Sequence, residues 1–239
     1  MALTVTNVSP TTSTVDASSY ALVSFTPVVG DLIIFMIMTA GSVDSGATLT
    51  TPQNGLTFSQ IATPWAAKQG GATGKDSLMC FVADQLVPAS PVAMTCTLTL
   101  PTDGGQGIVP MVARLAGALQ AGTAAIKQVA KASDGINGTP ASVTFASAPL
   151  TTNAVLFAAA YTATAPLAPS GFTVRRSTAI ATPTAGGMYA SANSGITSTT
   201  VASATTASGA WAAVGIEVDA SAGGGGGGPT PFEGWGIPI

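Results

Sequence analysis

The stretch Gly30-Asp31-Leu32-Ile33-Ile34-Phe35-Met36-Ile37-Met38-Thr39 holds seven consecutive large apolar residues between a Gly-Asp turn signal and a polar exit. Seven residues are too few to cross a bilayer, which takes about 20 residues in a helix. The β-branched and aromatic members favour a strand that is buried on both faces. A second stretch, Asn153-Ala154-Val155-Leu156-Phe157-Ala158-Ala159-Ala160-Tyr161-Thr162, has the same character. We therefore expect two central buried strands in similar surroundings.

The residues around these two stretches repeat in the same order, which predicts an internal duplication with halves at about 17–117 and 139–219. An N-terminal segment, 1–16, precedes the halves, and residues 118–138 join them as a mostly extended linker. Three motifs carry the match besides the central strands: Val23-Ser24-Phe25 with Val143-Thr144-Phe145, Asn54-Gly55-Leu56-Thr57 with Ser170-Gly171-Phe172-Thr173, and Leu78 to Phe81 with Gly187-Met188-Tyr189-Ala190. The last strands of the halves, Pro110 to Leu115 and Ala213 to Val218, match as well.

Each half reads as a set of strands with one apolar face, which must be buried against another layer. We predict an all-β fold, a jelly-roll-like antiparallel β-sandwich that both halves build together, with two separate sandwiches as the alternative. The alternating stretch from Tyr20 to Pro27 is expected to pair with the first central strand. Asn54-Gly55 is the strongest short hairpin signal in the chain.

Charged residues make up 7% of the chain and hydrophobic residues 46%, against roughly 25% charged residues in ordinary soluble proteins. Such a surface is poorly protected against association, so we expect neighbours to cover much of it. The net charge is −3, and the seven Lys and Arg are spread along the chain. This pattern argues against binding to nucleic acid or to an anionic membrane surface. The N-terminus lacks the pattern of a secretory signal, which favours synthesis in the cytoplasm.

The residues available for chemistry are few. There is no His, which excludes Ser-His and Cys-His nucleophile systems, and most Asp residues stand beside Gly, Ser or Thr in predicted turns. Cys80 and Cys96 are expected to be buried thiols, with a disulfide as the alternative. Arg114 and Glu217 are expected to face outward, and Asp31 to cap a turn. We predict a protein that is not an enzyme and has no metal or cofactor.

Two features suggest contacts with other molecules. Arg175-Arg176 is the one basic doublet of the sequence; it is predicted on a solvated edge strand, where charge discourages edge pairing, and contact with an acidic partner is the alternative. Trp65 follows a proline in a predicted loop and could stack on a sugar, so a glycan is a possible ligand. Trp211 is expected in the core.

The C-terminal segment, 220–239, contains six consecutive glycines at 223–228, which predict a flexible tether. Residues 229–239, called the C-terminal arm below, are apolar and rich in proline, and lack a periodicity that would let them fold alone. A disordered end is one interpretation. The other is a docking peptide on a tether, whose affinity for a neighbouring groove is raised by effective concentration. The predicted docking residues are Pro229, Pro231, Phe232, Trp235, Ile237 and Ile239.

The order of an apolar strand after Gly-Asp-Leu, then Asn-Gly-Leu-Thr-Phe, then an apolar strand and a final Ala-Trp-Ala-Ala-Val-Gly-Ile-Glu-Val resembles a group of tailed-bacteriophage virion proteins. The resemblance spans about residues 17–219 and carries no catalytic residues. It implies a β-sandwich with a Gly-rich end that serves as a capsid decoration protein, located in the virion after synthesis in the host cytoplasm. Its expected partners are the major capsid protein or tail proteins, and copies of itself. The alternatives are a minor tail or tail accessory protein, or a carbohydrate-binding module for host-surface glycans.

Overall fold

The computed structural model describes residues 3–8, 10–22, 24–41, 46–63, 65–67, 75–101, 106–134, 139–162, 164–180, 185–206 and 209–220. Within these ranges the chain forms antiparallel β-strands and a single 3-10 turn, Gly122–Ala125, with no α-helix. The predicted all-β class is thus confirmed.

The first half forms two sheets. Its large sheet has the strand order β1-β9-β3-β7-β5, with β6 beside β7, and its small sheet has the order β2-β8-β4. The first central stretch is β3, which lies in the middle of the large sheet and is buried along its whole length. The strands are β1 (Thr4–Val8), β2 (Ser19–Ala21), β3 (Leu32–Thr39), β4 (Thr48–Thr50), β5 (Phe58–Ala62), β6 (Trp65–Ala67), β7 (Lys75–Ala83), β8 (Thr97–Thr99) and β9 (Ile108–Ala116).

The second half also forms a large and a small sheet. The large sheet has the order β10-β16-β12-β14-β13, and β11 pairs with β15 in the small one. The second central stretch is β12, again in the middle and fully buried. The strands are β10 (Ile126–Asp134), β11 (Pro140–Thr144), β12 (Ala154–Tyr161), β13 (Thr173–Ile180), β14 (Ala185–Ala192), β15 (Thr200–Thr206) and β16 (Trp211–Val218).

The two large sheets have equivalent strand orders. Strands β1, β9, β3, β7 and β5 of the first sheet correspond, one by one, to β10, β16, β12, β14 and β13 of the second. The equivalence includes β1 and β10, which lie within residues 1–16 and 118–138. The structural halves therefore start earlier in the chain than the sequence matches indicated. Neither β1 nor β10 carries a motif that resembles the other, so the equivalence of this pair is visible in the structure alone.

The strands are distributed over four layers, rather than the two of a single sandwich. Alternate residues of β12 enter different cores: Leu156 and Ala158 pack with the first half, whereas Val155 and Phe157 pack with β11 and β15. Because successive side chains of a strand point to opposite faces, the second large sheet lies between the first large sheet and its own small sheet. The small sheets form the outer layers, and the two large sheets pack face to face.

Glycines let the layers approach each other closely. A Cβ on Gly187, in β14, would lie 2.9 Å from Cε of Met111 in β9 of the other large sheet. A Cβ on Gly215, in β16, would lie 2.7 Å from Cζ of Phe145, which comes from the outer layer. The large side chains of one layer thus fill the space that glycines leave in the next, as close packing requires.

Two predicted strand pairings are wrong. Strand β2 pairs with β8 rather than with β3. Asn54 and Gly55 do form a turn, with φ of 59° and 61°, but this turn joins β4 and β5, which belong to different sheets. Turn residues determine how the chain reverses locally, whereas the partner of a strand depends on which layer buries its apolar face.

Candidate functional site

One polar pair in each half occupies the same place beside the central strand. In the first half, Arg114 of β9 stands opposite Ile33, and its Nε lies 2.8 Å from Oδ2 of Asp31, two residues earlier. In the second half, Glu217 of β16 stands opposite Val155, and its Oε1 accepts a hydrogen bond of 2.7 Å from Asn153, again two residues earlier. The two halves therefore carry the acidic group on opposite strands of the pair.

The expectation that Glu217 faces outward is wrong, because its side chain is buried. Besides Asn153, it accepts hydrogen bonds from the Leu150 N–H at 2.8 Å and from Nε2 of Gln128 at 2.5 Å. Asp31 is also buried, and it binds Arg114 instead of acting only as a turn cap. A buried carboxylate is tolerated where several donors satisfy it. These carboxylates thus anchor strands.

Both cysteines are buried and free, so the alternative of a disulfide is wrong. Burial raises the pKa of the Cys80 thiol well above its ordinary value, and raises the pKa of Cys96 to about 12. Reactive cysteines have lowered pKa values, so these two thiols behave as core side chains. Within the described ranges, no three residues among Cys, Asp and Glu lie together as a possible metal site.

The two tryptophans of the described strands differ. Trp211 is buried, as expected, and its Nε1–H donates to Oγ1 of Thr139 at 3.0 Å. Trp65 begins β6 at the edge of the first large sheet, opposite Ser77, rather than lying in a loop. Its side chain lies outside the described part of the chain, so its role as a sugar platform stays a prediction.

Arg175 and Arg176 lie on β13, which is an edge strand of the second large sheet, as predicted. The register shifts between Val174 and Arg176, so the strand bulges at Arg175. Such a bulge interrupts the alternation of side chains. Nε of Arg175 donates to Oγ of Ser191 at 2.8 Å, and Arg176 stands opposite Tyr189, two residues before that serine. Both arginines therefore lie over one face of β14.

Among the described residues, neither arginine forms a salt bridge, whereas Arg114 pairs with Asp31. Nε of Arg176 is buried without a hydrogen-bond partner in the same ranges. Burial lowers the pKa of Arg176, and burial raises the pKa of the Tyr189 phenol, which interacts electrostatically with both arginines. Partly desolvated, uncompensated guanidinium groups form a site that attracts a carboxylate or another anion.

Two cavities open beside the small sheets. One, of about 480 Å³, lies between residues 169–172 and 195–202 in the second half. The other, of about 350 Å³, lies between β4 and β5 in the first half. Among the described residues, neither cavity is lined by a charged side chain.

The predicted docking residues of the C-terminal arm lie outside the described residues. Ala220 is the last described residue, and its N–H donates to Oδ1 of Asn153 at 3.0 Å. The described part of the chain therefore ends beside the start of β12, next to the polar pair of the second half.

No family model, no curated protein and no solved structure matches this chain. In the part of the chain that the structure describes, no helix is long and apolar enough to span a membrane.

Proposed function

We propose that this protein is a non-enzymatic structural protein of a phage virion, a capsid decoration protein that docks on neighbouring subunits through its surface and its C-terminal arm. The observation that carries the proposal is that Ala220, where the described part of the chain ends, lies beside the start of β12, near the exposed apolar side chain of Leu150. The sequence beyond Ala220 is a glycine tether followed by the apolar, proline-rich arm. A tethered apolar segment is suited to bind another molecule.

The end of the molecule at which the described chain finishes also exposes apolar side chains. The Val5 N–H donates to Oδ1 of Asn193 at 3.2 Å, and these residues neighbour the starts of β3 and β12 in their sheets. Both central strands thus begin at the same end of the molecule. Val28 and Leu150, each three residues before the buried polar residue of its half, are exposed there, with exposed fractions of 48% and 51%.

Exposed apolar residues at one end, a low charge content and a tethered arm together favour association with a lattice of other subunits. Binding to the assembled shell and not to its dissociated subunits would stabilise the shell by mass action. The mechanism is mechanical, because the added buried area holds adjacent subunits together.

The test compares full-length protein with a truncation to residues 1–222 on particles that lack the protein. Particles are sedimented and bound copies are counted, while urea unfolding reports whether the truncated protein keeps its fold. We expect hundreds of copies of the full-length protein per particle and a large loss of occupancy on truncation. A second variant, Phe232→Ser with Trp235→Ser, keeps the tether and should lose occupancy too, whereas Thr230→Ala should bind normally.

Other outcomes separate the alternatives. Binding of a few copies per particle would favour a tail accessory protein. Absence of binding, combined with retention on a glycan array, would favour the carbohydrate-binding module. Undiminished occupancy of the truncated protein would refute the docking role of the arm.

A further inference from the structure

We propose that the arginine pair Arg175-Arg176 is the docking site for the chain's own C-terminal arm, which folds back in the free protein and places Glu233 against the two guanidinium groups. The inference rests on the docking role proposed for the arm, and it names the surface that holds the arm before assembly. Three observations carry it: charge, reach and the position of the site at a free sheet edge.

Charge complementarity identifies the occupant. Glu233 is the one charged side chain of residues 229–239. Arg175 and Arg176 carry adjacent positive charges without an acidic partner in the described ranges, and Nε of Arg176 is a buried donor that lacks an acceptor there. A carboxylate placed between them would satisfy that donor and form charge-assisted hydrogen bonds. Arg also stacks on aromatic rings, and Phe232 and Trp235 flank Glu233 closely.

The length of chain beyond the described residues matches the distance to the site. From β16 to β13 there are three strand spacings, about 14 Å. Ala220 lies about five residues further along the strand direction than Arg175, about 17 Å, so the direct distance is about 22 Å. A flexible chain of 13 residues, from Ala220 to Glu233, has a root-mean-square span of about 20 Å. Effective concentration is highest when these two lengths agree.

The edge position allows the arm to approach. Among the described strands, β13 is the last of its sheet, so no other described strand lies on its outer side. Val174, next to the pair, is 47% exposed, and an apolar segment can cover it. The arginines therefore discourage edge pairing with other chains and at the same time attract the acidic arm.

The experiment measures backbone order parameters of residues 229–239 by nitrogen-15 relaxation in free full-length protein, without particles. We expect order parameters of about 0.8 at Glu233 and Trp235. They should fall below about 0.6 in Glu233→Gln and in the double variant Arg175→Gln with Arg176→Gln. Lys127→Gln with Lys131→Gln removes two exposed charges from β10, the opposite edge strand, and should leave the arm ordered. Either Arg175→Glu or Glu233→Lys alone should lower the order parameters of the arm. The two changes combined should restore part of this loss.

Glu233→Gln changes no residue of the described cores, so it tests the site even where the arginine variants unfold. An arm that is mobile in the unmodified protein, or ordered regardless of Glu233, would overturn the proposal. Order that rises with protein concentration, together with a dimer mass, would mean that the arm binds a second copy and would also overturn it. Failure of particle binding in the earlier test leaves these measurements unaffected, so the two proposals fail separately.

Discussion

Replacing Glu217 by Ala should destabilise the fold strongly, because three donors lose their acceptor at once. The Leu150 N–H and the Asn153 amide are held in place by the turn before β12, where the Asn153 N–H donates to the Leu150 carbonyl at 2.9 Å. Gln128 is partly exposed and can turn to water. The Leu150 N–H and the Asn153 amide would stay buried without an acceptor, at a cost of about 1–3 kcal/mol each. We therefore expect the free energy of unfolding to fall by about 4 kcal/mol.

The assay is urea unfolding of full-length variants at neutral pH. Glu217→Gln keeps one acceptor oxygen for Leu150 and Asn153 but turns an amide towards Gln128, so we expect a smaller loss of about 1–2 kcal/mol. Lys131→Ala, an exposed position on the neighbouring β10, should change stability by less than about 0.5 kcal/mol. A loss below about 1 kcal/mol in Glu217→Ala, or equal losses in the Ala and Gln variants, would contradict the role assigned to the three hydrogen bonds.

Two further predictions concern packing and pH. Gly215→Ala places a Cβ 2.7 Å from side-chain atoms of both Phe145 and Val143. It should lower the free energy of unfolding, measured in urea, by about 1–3 kcal/mol. Gly46→Ala is the control: its Cβ would lie 3.6 Å from the nearest atom, so it should leave the free energy of unfolding nearly unchanged. The pKa values of Cys96 and Tyr161 in the folded protein lie above their ordinary values of 9.0 and 10.0. The contribution of these two groups to the stability of the folded state is therefore complete below pH 9. It is lost as the pH rises towards the folded pKa, because the unfolded chain ionises first. Between neutral pH and about pH 9 these two groups should leave the free energy of unfolding unchanged, and above about pH 9 it should fall. Cys96→Ala should make the fall shallower by up to about 1.4 kcal/mol per pH unit; an unchanged slope would argue against a buried thiol at that position.

The sequence predicts the buried centre of each half well, because seven large apolar residues in Leu32–Thr39 leave few alternatives to a strand covered on both faces. It predicts the edge position of Arg175 for a similar reason, since charge is disfavoured in the middle of a sheet. Which strands pair with each other is harder to predict from the sequence. β2 and β4 contain three residues each, and so short a stretch does not encode which layer will cover it.

The burial of Glu217 escapes sequence reasoning because its donors come from distant segments. Gln128 lies 89 positions away and Leu150 lies 67 positions away. A charge within an alternating strand pattern favours the solvent face on average, and the pattern contains no information about a loop that folds over it. One signal was available: the repeat aligns Glu217 with Arg114 and Asn153 with Asp31, which pairs a carboxylate with a donor in both halves.

The opposite placement of acid and donor in the two polar pairs has a consequence for how a duplicated chain finds its native connectivity. Because the halves are similar, the central strands could exchange partners during folding, so that β3 pairs with β16 and β12 pairs with β9. The first exchange would bring Asp31 against Glu217, two carboxylates without a cation, and the second would leave Arg114 facing the neutral Asn153. Burying an uncompensated charge costs several kcal/mol. We therefore expect the inverted pairs to disfavour the pairing of each central strand with the partner strand of the other half.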